Sequence, residues 1–181
     1  MSQFIGCGTA LVTPFRRDLS LDEDALRRLV RRQIEAGIHF LVPCGTTGES
    51  PTLERQEHLR VVEITLEEAK GKCPVLAGCG GYNTAEVIEL ARELEAMGVD
   101  GLLSVTPYYN KPTQEGLYQH YRAIAAATRL PIVVYSVMGR TGVNVEPATL
   151  RRLAEIENIV GVKEASGNVA QMAQICATAP E

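Results

Sequence analysis

The chain has 181 residues, of which 45% are hydrophobic and 22% are charged, so it can bury a core. Its 18 basic and 22 acidic residues are interspersed and give a formal net charge of -4, which excludes the basic stripe that nucleic acid or an anionic membrane would bind. No apolar run approaches the ~18 residues of a membrane span, and residues 1–4 carry no secretory signal pattern, so we expect a cytoplasmic protein.

Six short apolar runs recur along the chain, and each is followed by a helical pattern. They cover residues 8–12, 40–42, 75–77, 101–105, 132–135 and 159–162. The runs are apolar nearly throughout, which is typical of parallel strands covered by helices. The pattern predicts six βα units in one domain over residues 1–181, with no linker between them.

Capping signals set the bounds of the predicted helices. The first begins at a capping box formed by Ser20 and Glu23 and ends at Gly37. The third runs from about Thr84 to Gly98, and the fourth starts near residue 115.

Two architectures fit repeated βα units, an open doubly wound sheet and an eight-stranded barrel. The barrel usually needs eight units, so the chain is either an open sheet or an incomplete barrel. In both, ligands bind at the carboxyl ends of the strands.

Several residues with functional side chains follow the predicted strands. The loop at residues 45–50 carries Thr46 and Thr47 between glycines, which suits an anion or simply forms a turn. The glycines at 78–81 resemble a dinucleotide fingerprint that fails at Asn83, so a turn is favoured. Tyr108 and Tyr109 are adjacent, so we expect them to point in opposite directions; the alternative is that both pack a loop.

Lys163 is the one lysine of four that ends an apolar strand. An amine is a nucleophile only when neutral, so we predict that Lys163 is buried at a barrel mouth. The alternative is an ion pair with Glu164. A Schiff-base enzyme also needs hydroxyl groups to carry protons and a cation for the substrate's acid group. The hydroxyls can come from Tyr135, Tyr109 and Thr46, and the cation from Arg140.

The cysteines and histidines favour neither disulfides nor a metal site. The five cysteines are odd in number and lack C-x-x-C spacing, so we expect them to be reduced and mostly buried. The three histidines do not cluster. The residues concerned are Cys7, Cys44, Cys73, Cys79, Cys176, His39, His58 and His120.

Five strings carry a family resemblance: GTALVTPF (8–15), GTTGES (45–50), TPYYNKPTQEGLYQHY (106–121), GRTG (139–142) and VKEASGN (162–168). They closely resemble the dihydrodipicolinate synthase branch of the N-acetylneuraminate lyase superfamily. The resemblance implies a (β/α)8 TIM barrel, here truncated to about its first six βα units. It also implies a lyase that condenses pyruvate with aspartate 4-semialdehyde in lysine biosynthesis through diaminopimelate, without a cofactor and usually as a homotetramer.

The resemblance also implies a role for individual residues. Lys163 would form the Schiff base with pyruvate, beside Tyr135 as proton donor and acceptor. Thr46 and Tyr109 would complete the proton relay, with Tyr109 reaching into a neighbouring subunit. The substrate-binding residues would be Thr47 for the pyruvate carboxylate, and Arg140 with Gly139 for the semialdehyde.

The sequence departs from the family pattern in three ways. Ser136-Val137-Met138 replace Asn-Val-Pro, which frees the loop before Arg140. A lysine feedback site is suggested by Ser50, His58, Glu86 and Tyr108, but two other typical residues are replaced, by Arg55 and Tyr82. The chain stops at Glu181, so we expect a partial sequence whose isolated 181-residue chain is poorly folded and nearly inactive. The alternatives are another pyruvate-dependent aldolase of the superfamily, or a noncatalytic fragment.

Overall fold

The computed structural model describes residues 4–178. Residues 1–3, which carry most of the segment tested for a secretory signal, and the chain end at Glu181 lie outside the described residues. The chain divides into two compact units, one formed by residues up to 78 with 96–101 and the other by residues 79–95 with those from 102 onward. A single domain therefore stays a prediction, and each unit is described by itself.

The first unit contains three short parallel strands and two helices. Strand β1 (Gly8–Ala10) pairs with β2 (Phe40–Val42), and β2 also bridges, through Leu41, to the residue before β3 (Leu76–Gly78). Helix α1 (Glu23–Glu35) packs against α2 (Arg55–Ala69). The apolar side chains of α1 face this unit's core, where Leu26 and Val30 are buried.

The predicted capping box of α1 is wrong. The cap is Asp22, whose side chain accepts a hydrogen bond from the Ala25 N–H at 2.9 Å. Ser20 lies two residues earlier and donates its hydroxyl to Asp18 instead. The helix ends as predicted before Gly37, which has a φ of 80° and adopts the left-handed backbone that favours glycine.

The second unit contains three parallel strands and five helices. In chain order these elements are α3 (Thr84–Met97), β4 (Gly101–Val105), α4 (Gln114–Ala125), β5 (Ile132–Ser136), α5 (Met138–Thr141), α6 (Pro147–Leu153), β6 (Ile159–Glu164) and α7 (Val169–Thr178). Strand β5 lies between β4 and β6. Val105, Tyr135 and Lys163 are neighbours in this register, so their side chains lie on one face of the sheet.

Most cysteines are buried, as predicted. Cys44, Cys73 and Cys79 are buried, whereas Cys7 and Cys176 are exposed. Burial raises the pKa of the Cys44 thiol to about 12, which makes it a poor nucleophile. Across residues 4–178, His, Cys, Asp and Glu side chains form no group of three or more that could hold a metal ion. None of the helices in this range has the length and apolar character needed to cross a membrane.

Candidate active site

Two of the predicted functional side chains meet at the carboxyl ends of β5 and β6. Tyr135 and Lys163 are register partners on adjacent parallel strands. The Lys163 Nζ lies 4.3 Å from the centroid of the Tyr135 ring. The arrangement brings a primary amine beside a phenol, which is the pair of groups that imine chemistry needs.

The predicted burial of Lys163 at the mouth of a complete barrel stays a prediction. Tyr135 is only 7% exposed, but Lys163 is exposed, as is Gly161 two residues before it. Strand β6 pairs with β5 along one edge, and within residues 4–178 no strand pairs with its other edge. An edge strand shields its side chains from one side only, so the apolar run of β6 does not bury its last residues.

An ion pair between Lys163 and Glu164 is disfavoured by the geometry of β6. Consecutive residues of a strand point to opposite faces of the sheet. The Glu164 carboxylate accepts hydrogen bonds from the Ser166 N–H at 2.6 Å and from the Gln171 amide Nε2 at 3.0 Å. The carboxylate is thus held on the face away from the amine.

The threonine loop of the first unit follows β2. Residues Thr46–Gly48 form one turn of 3-10 helix, in which Thr46 is half-buried and Thr47 is exposed. The Thr13 hydroxyl donates to the Gly48 carbonyl at 2.7 Å and fixes the turn. A Cβ at Gly48 would lie 3.0 Å from the Leu11 carbonyl oxygen, so the close approach favours glycine.

The two tyrosines after β4 point in different directions, as predicted. Tyr109 is 89% exposed and has a φ of 66°, which turns its side chain away from its own unit. Tyr108 is half-buried and meets Tyr82 edge to face at 5.4 Å between ring centroids. Burial raises the pKa of the Tyr108 phenol, and nearby Tyr82 and Glu86 raise it further.

Arg140 lies on α5, one turn of helix directly after β5, and its side chain is exposed. The Thr141 hydroxyl donates to the Val137 and Val143 carbonyls, which closes the turn although Met138 stands where the family has proline. A Cβ at Gly142 would lie 2.9 Å from Lys111 Cε, so the lysine stem packs over the end of this turn. Gly139 is exposed beside Arg140.

The suggested lysine site is divided between the two units. Ser50 and His58 belong to the first, where His58 is buried and its Nε2 lies 3.0 Å from the Gly78 carbonyl oxygen. Glu86 and Tyr108 belong to the second, where Glu86 accepts from the Asn83 amide at 2.8 Å.

The glycines at 78–81 serve close packing. A Cβ at Gly78 would overlap the Cys44 carbonyl, and one at Gly80 would lie 2.7 Å from the Val105 backbone nitrogen. A backbone approach of this kind explains the glycines without a nucleotide.

Sequence reasoning missed a polar network in the second unit. Asn144 and Gln171 exchange two amide hydrogen bonds of 2.8 and 3.1 Å, and Gln171 also donates to Glu164. A signal was present, because Gln171 stands three residues after Asn168 in the spacing of a helix cap. That spacing places Gln171 in the first turn of α7, where the Asn168 side chain accepts from its N–H, but does not reveal its distant partners.

The repeated βα units and the functional side chains at the strand ends define the class of α/β proteins with parallel sheets. Three solved or curated proteins extend the likeness along nearly the whole chain. The 4-hydroxy-tetrahydrodipicolinate synthase of Koribacter versatilis is 57% identical over 177 residues, which are 97% of this chain and 59% of that protein. The structure of dihydrodipicolinate synthase from Thermotoga maritima has a TM-score of 0.95 at 49% identity. The match covers 98% of this chain and 60% of that chain. A structure of the same enzyme from Cyanidioschyzon merolae with lysine bound has a TM-score of 0.96 at 41% identity. The match covers 99% of this chain and 62% of that chain.

The profile of the Dihydrodipicolinate synthetase family matches residues 3–181, so the chain belongs to that family. The structural likeness confirms the predicted α/β barrel fold class, and residues 4–178 contain six of the βα units. The chain spans about 59% of the length of the curated relatives it matches.

Proposed function

We propose that this protein is a 4-hydroxy-tetrahydrodipicolinate synthase, a lyase that condenses pyruvate with L-aspartate 4-semialdehyde in lysine biosynthesis. The observation that carries the proposal is the Lys163 amine beside the Tyr135 ring at the ends of β5 and β6, in a member of this family. An amine next to a phenol can bond covalently to a keto acid and exchange protons with it.

The reaction begins with attack of the neutral Lys163 Nζ on C2 of pyruvate. The carbonyl oxygen takes up protons and leaves as water, which gives an imine. The imine withdraws electrons, so a C3 proton is lost and the resulting enamine bonds through C3 to the aldehyde carbon of the semialdehyde. The aldehyde oxygen takes up a proton and becomes a hydroxyl group, and the imine forms again. The amino nitrogen of the semialdehyde then attacks the imine carbon, which closes the ring and releases Lys163 as a free amine. No cofactor enters these steps.

Protons are moved by Tyr135, with Thr46 and Tyr109 as the other relay members. The position of the Tyr135 ring 4.3 Å from the Lys163 Nζ supports a role for this tyrosine beside the amine. Tyr109 would act in the site of a neighbouring subunit of a homotetramer. Its exposure of 89% supports this role, since its side chain extends from its own unit.

The carboxylates of the two substrates need separate partners. Thr47 would hold the pyruvate carboxylate with its exposed hydroxyl, and Arg140 with Gly139 would bind the semialdehyde carboxylate. Arg140 suits this role because a guanidinium can donate two parallel hydrogen bonds to a carboxylate.

Feedback inhibition by lysine and a cytoplasmic location belong to the same proposal. The similar structure from Cyanidioschyzon merolae, which has lysine bound, supports the first. In this chain the lysine site would be formed by Ser50, His58, Glu86 and Tyr108. An unchanged rate at millimolar lysine would remove it.

Reductive trapping tests the proposed function. The protein, made from its own gene, is incubated with pyruvate and borohydride and then digested for mass mapping. We expect one pyruvate-derived adduct, on Lys163, and turnover with aspartate semialdehyde in preference to keto-sugar acid substrates. Absence of the adduct from the folded protein would overturn the proposal. A strong preference for a keto-sugar acid would favour another aldolase of the superfamily.

A further inference from the structure

The segment that carries Arg140 is fastened at both ends within the second unit. It leaves β5 after Ser136 and returns at Val145, whose N–H donates to the Ser136 hydroxyl oxygen at 3.3 Å. Residues 137–144 therefore form a closed loop that is based on β5. Arg140 itself is exposed, so its position depends on how firmly the loop is held.

A second attachment joins this loop to β6. The Asn144 amide nitrogen donates to Gln171 Oε1 at 2.8 Å, and Gln171 Nε2 donates back to Asn144 Oδ1 at 3.1 Å. The same Nε2 donates to Glu164 Oε2 at 3.0 Å. Because Glu164 directly follows Lys163, the chain of bonds runs from the Arg140 loop to the end of the strand that bears the amine.

The attachment is completed from α4. Gln114 Nε2 donates to the Asn144 carbonyl at 2.8 Å, and its Oε1 accepts from the Glu146 N–H and from the Thr149 hydroxyl. Gln171 is buried, so the loss of its partners would leave unpaired polar groups out of reach of water. Networks in which every member is paired hold their groups in one arrangement.

We propose that the Asn144–Gln171 amide pair is a positioning device that sets the place of Arg140 relative to Lys163, and thereby selects an aldehyde partner that carries a carboxylate. This inference rests on the proposed function. Asn144 and Gln171 touch neither substrate; they act through the Arg140 loop and through Glu164. Loss of the pair removes the link between the loop end and Glu164, while the backbone bonds to Gln114 and Ser136 and the Lys163–Tyr135 contact stay in place.

The test compares Asn144→Ala and Gln171→Ala with Asn158→Ala. Asn158 is a matched control, because it is a half-buried asparagine of the same unit whose amide donates to the Ala125, Thr128 and Leu130 carbonyls. For the first two variants we expect the KM for aspartate semialdehyde to rise on the order of ten- to a hundredfold, because small misplacements of a binding group are costly. The KM for pyruvate and the rate of borohydride trapping should change less than about twofold. The control variant should leave the ratio of the two KM values unchanged.

A double variant separates positioning from a general loss of stability. Q171E places a second carboxylate against Glu164 and should raise the semialdehyde KM as Gln171→Ala does. E164Q/Q171E restores a donor and an acceptor between the two positions and should recover part of the loss. Equal KM ratios in all variants, or the same rise in Asn158→Ala, would overturn the inference.

Hydrogen exchange and native-state trypsin cleavage after Arg140 provide a readout that needs no turnover. Exchange over residues 137–145 and cleavage should both be faster in Asn144→Ala and Gln171→Ala than in the control. If the wild-type protein traps no pyruvate, the proposed function fails. If residues 137–145 exchange as slowly in the two variants as in the wild type, the proposed attachment of the loop is wrong, whatever the outcome for the proposed function. If wild-type protein traps pyruvate but the KM ratio stays fixed, only the positioning inference fails.

Discussion

Strands β5 and β6 have similar apolar sequences but very different surroundings. In β5, Ile132, Val134 and Ser136 are fully buried, whereas in β6 Val160 is 40% exposed. Strand β5 has a neighbour on each side, and β6 has one among residues 4–178. The burial of a strand is therefore decided by its neighbours, and an apolar run predicts only that the strand forms.

The difference also separates the two residues of the candidate site. Tyr135 is held in a buried setting on β5, while Lys163 extends from the edge strand over the Tyr135 ring. A buried phenol beside an exposed amine fits the proposed chemistry, since a substrate must be able to reach the amine.

The largest expected effect comes from substituting Lys163 or Tyr135. Lys163→Ala should abolish the pyruvate adduct and lower turnover by on the order of 10⁴-fold, because the nucleophile is gone. Tyr135→Phe should still form the adduct, with turnover lowered about 10²- to 10⁴-fold through loss of proton transfer. Mass mapping after borohydride reduction and steady-state rates measure both. Lys72→Ala, at an exposed lysine, is the control, and an adduct that survives in Lys163→Ala would contradict the assignment.

The first and last residues of the strands could largely be predicted from the sequence. The side-chain contacts between distant parts of the chain could not. Strands at 40–42 and 101–105 were predicted with the bounds that the structure has, because an apolar run of this kind is a local signal. The Asn144–Gln171 pair joins residues 27 positions apart, and no periodicity links them. The exposure of Lys163 among residues 4–178 likewise depends on which strands lie beside β6, and an apolar run does not specify them.

The next largest expected effect is the pH dependence of stability that the buried side chain of His120 causes. Burial lowers the pKa of His120 from 6.5 to about 4, while its Nδ1 lies 2.8 Å from the Thr84 hydroxyl. Above pH 6.5 the ring is neutral in both the folded and unfolded states. Between pH 6.5 and 4 the unfolded state binds the proton first, so the free energy of unfolding should fall by about 3 kcal/mol.

Chemical denaturation at pH 7 and pH 5 measures this dependence. In His120→Gln the fall over this interval should be smaller than in wild type, because the titrating group is removed. Hydrogen bonds from Arg31 and Arg27 lower the pKa of Glu68 to about 2. The stability that this carboxylate contributes is therefore lost only as the pH falls below about 4.5, and it does not change between pH 7 and pH 5. A fall of the same size in His120→Gln would show that another group is responsible.

The matched pair Val134→Ala and Val160→Ala sharpens the comparison of the strands directly. Val134 on β5 is 0% exposed, so removing two carbons should cost about 2 kcal/mol of unfolding free energy. Val160 on the β6 edge is 40% exposed, and the same change should cost less than about 0.5 kcal/mol. Urea denaturation of both variants measures the difference. Equal costs would mean that β6 is as well covered as β5.

The smallest expected effect concerns the start of α1, where one of two polar residues contacts the helix backbone and the other does not. Ser20 and Asp22 are both residue types that cap helices, but only Asp22 accepts from an α1 backbone N–H. Asp22→Ala should lower the free energy of unfolding by about 1 kcal/mol, since the helix loses a partner for an otherwise free N–H. Ser20→Ala should have a smaller effect, because its hydroxyl contacts Asp18 outside the helix. A larger loss in Ser20→Ala than in Asp22→Ala, measured by urea denaturation, would restore the capping box that the sequence predicts.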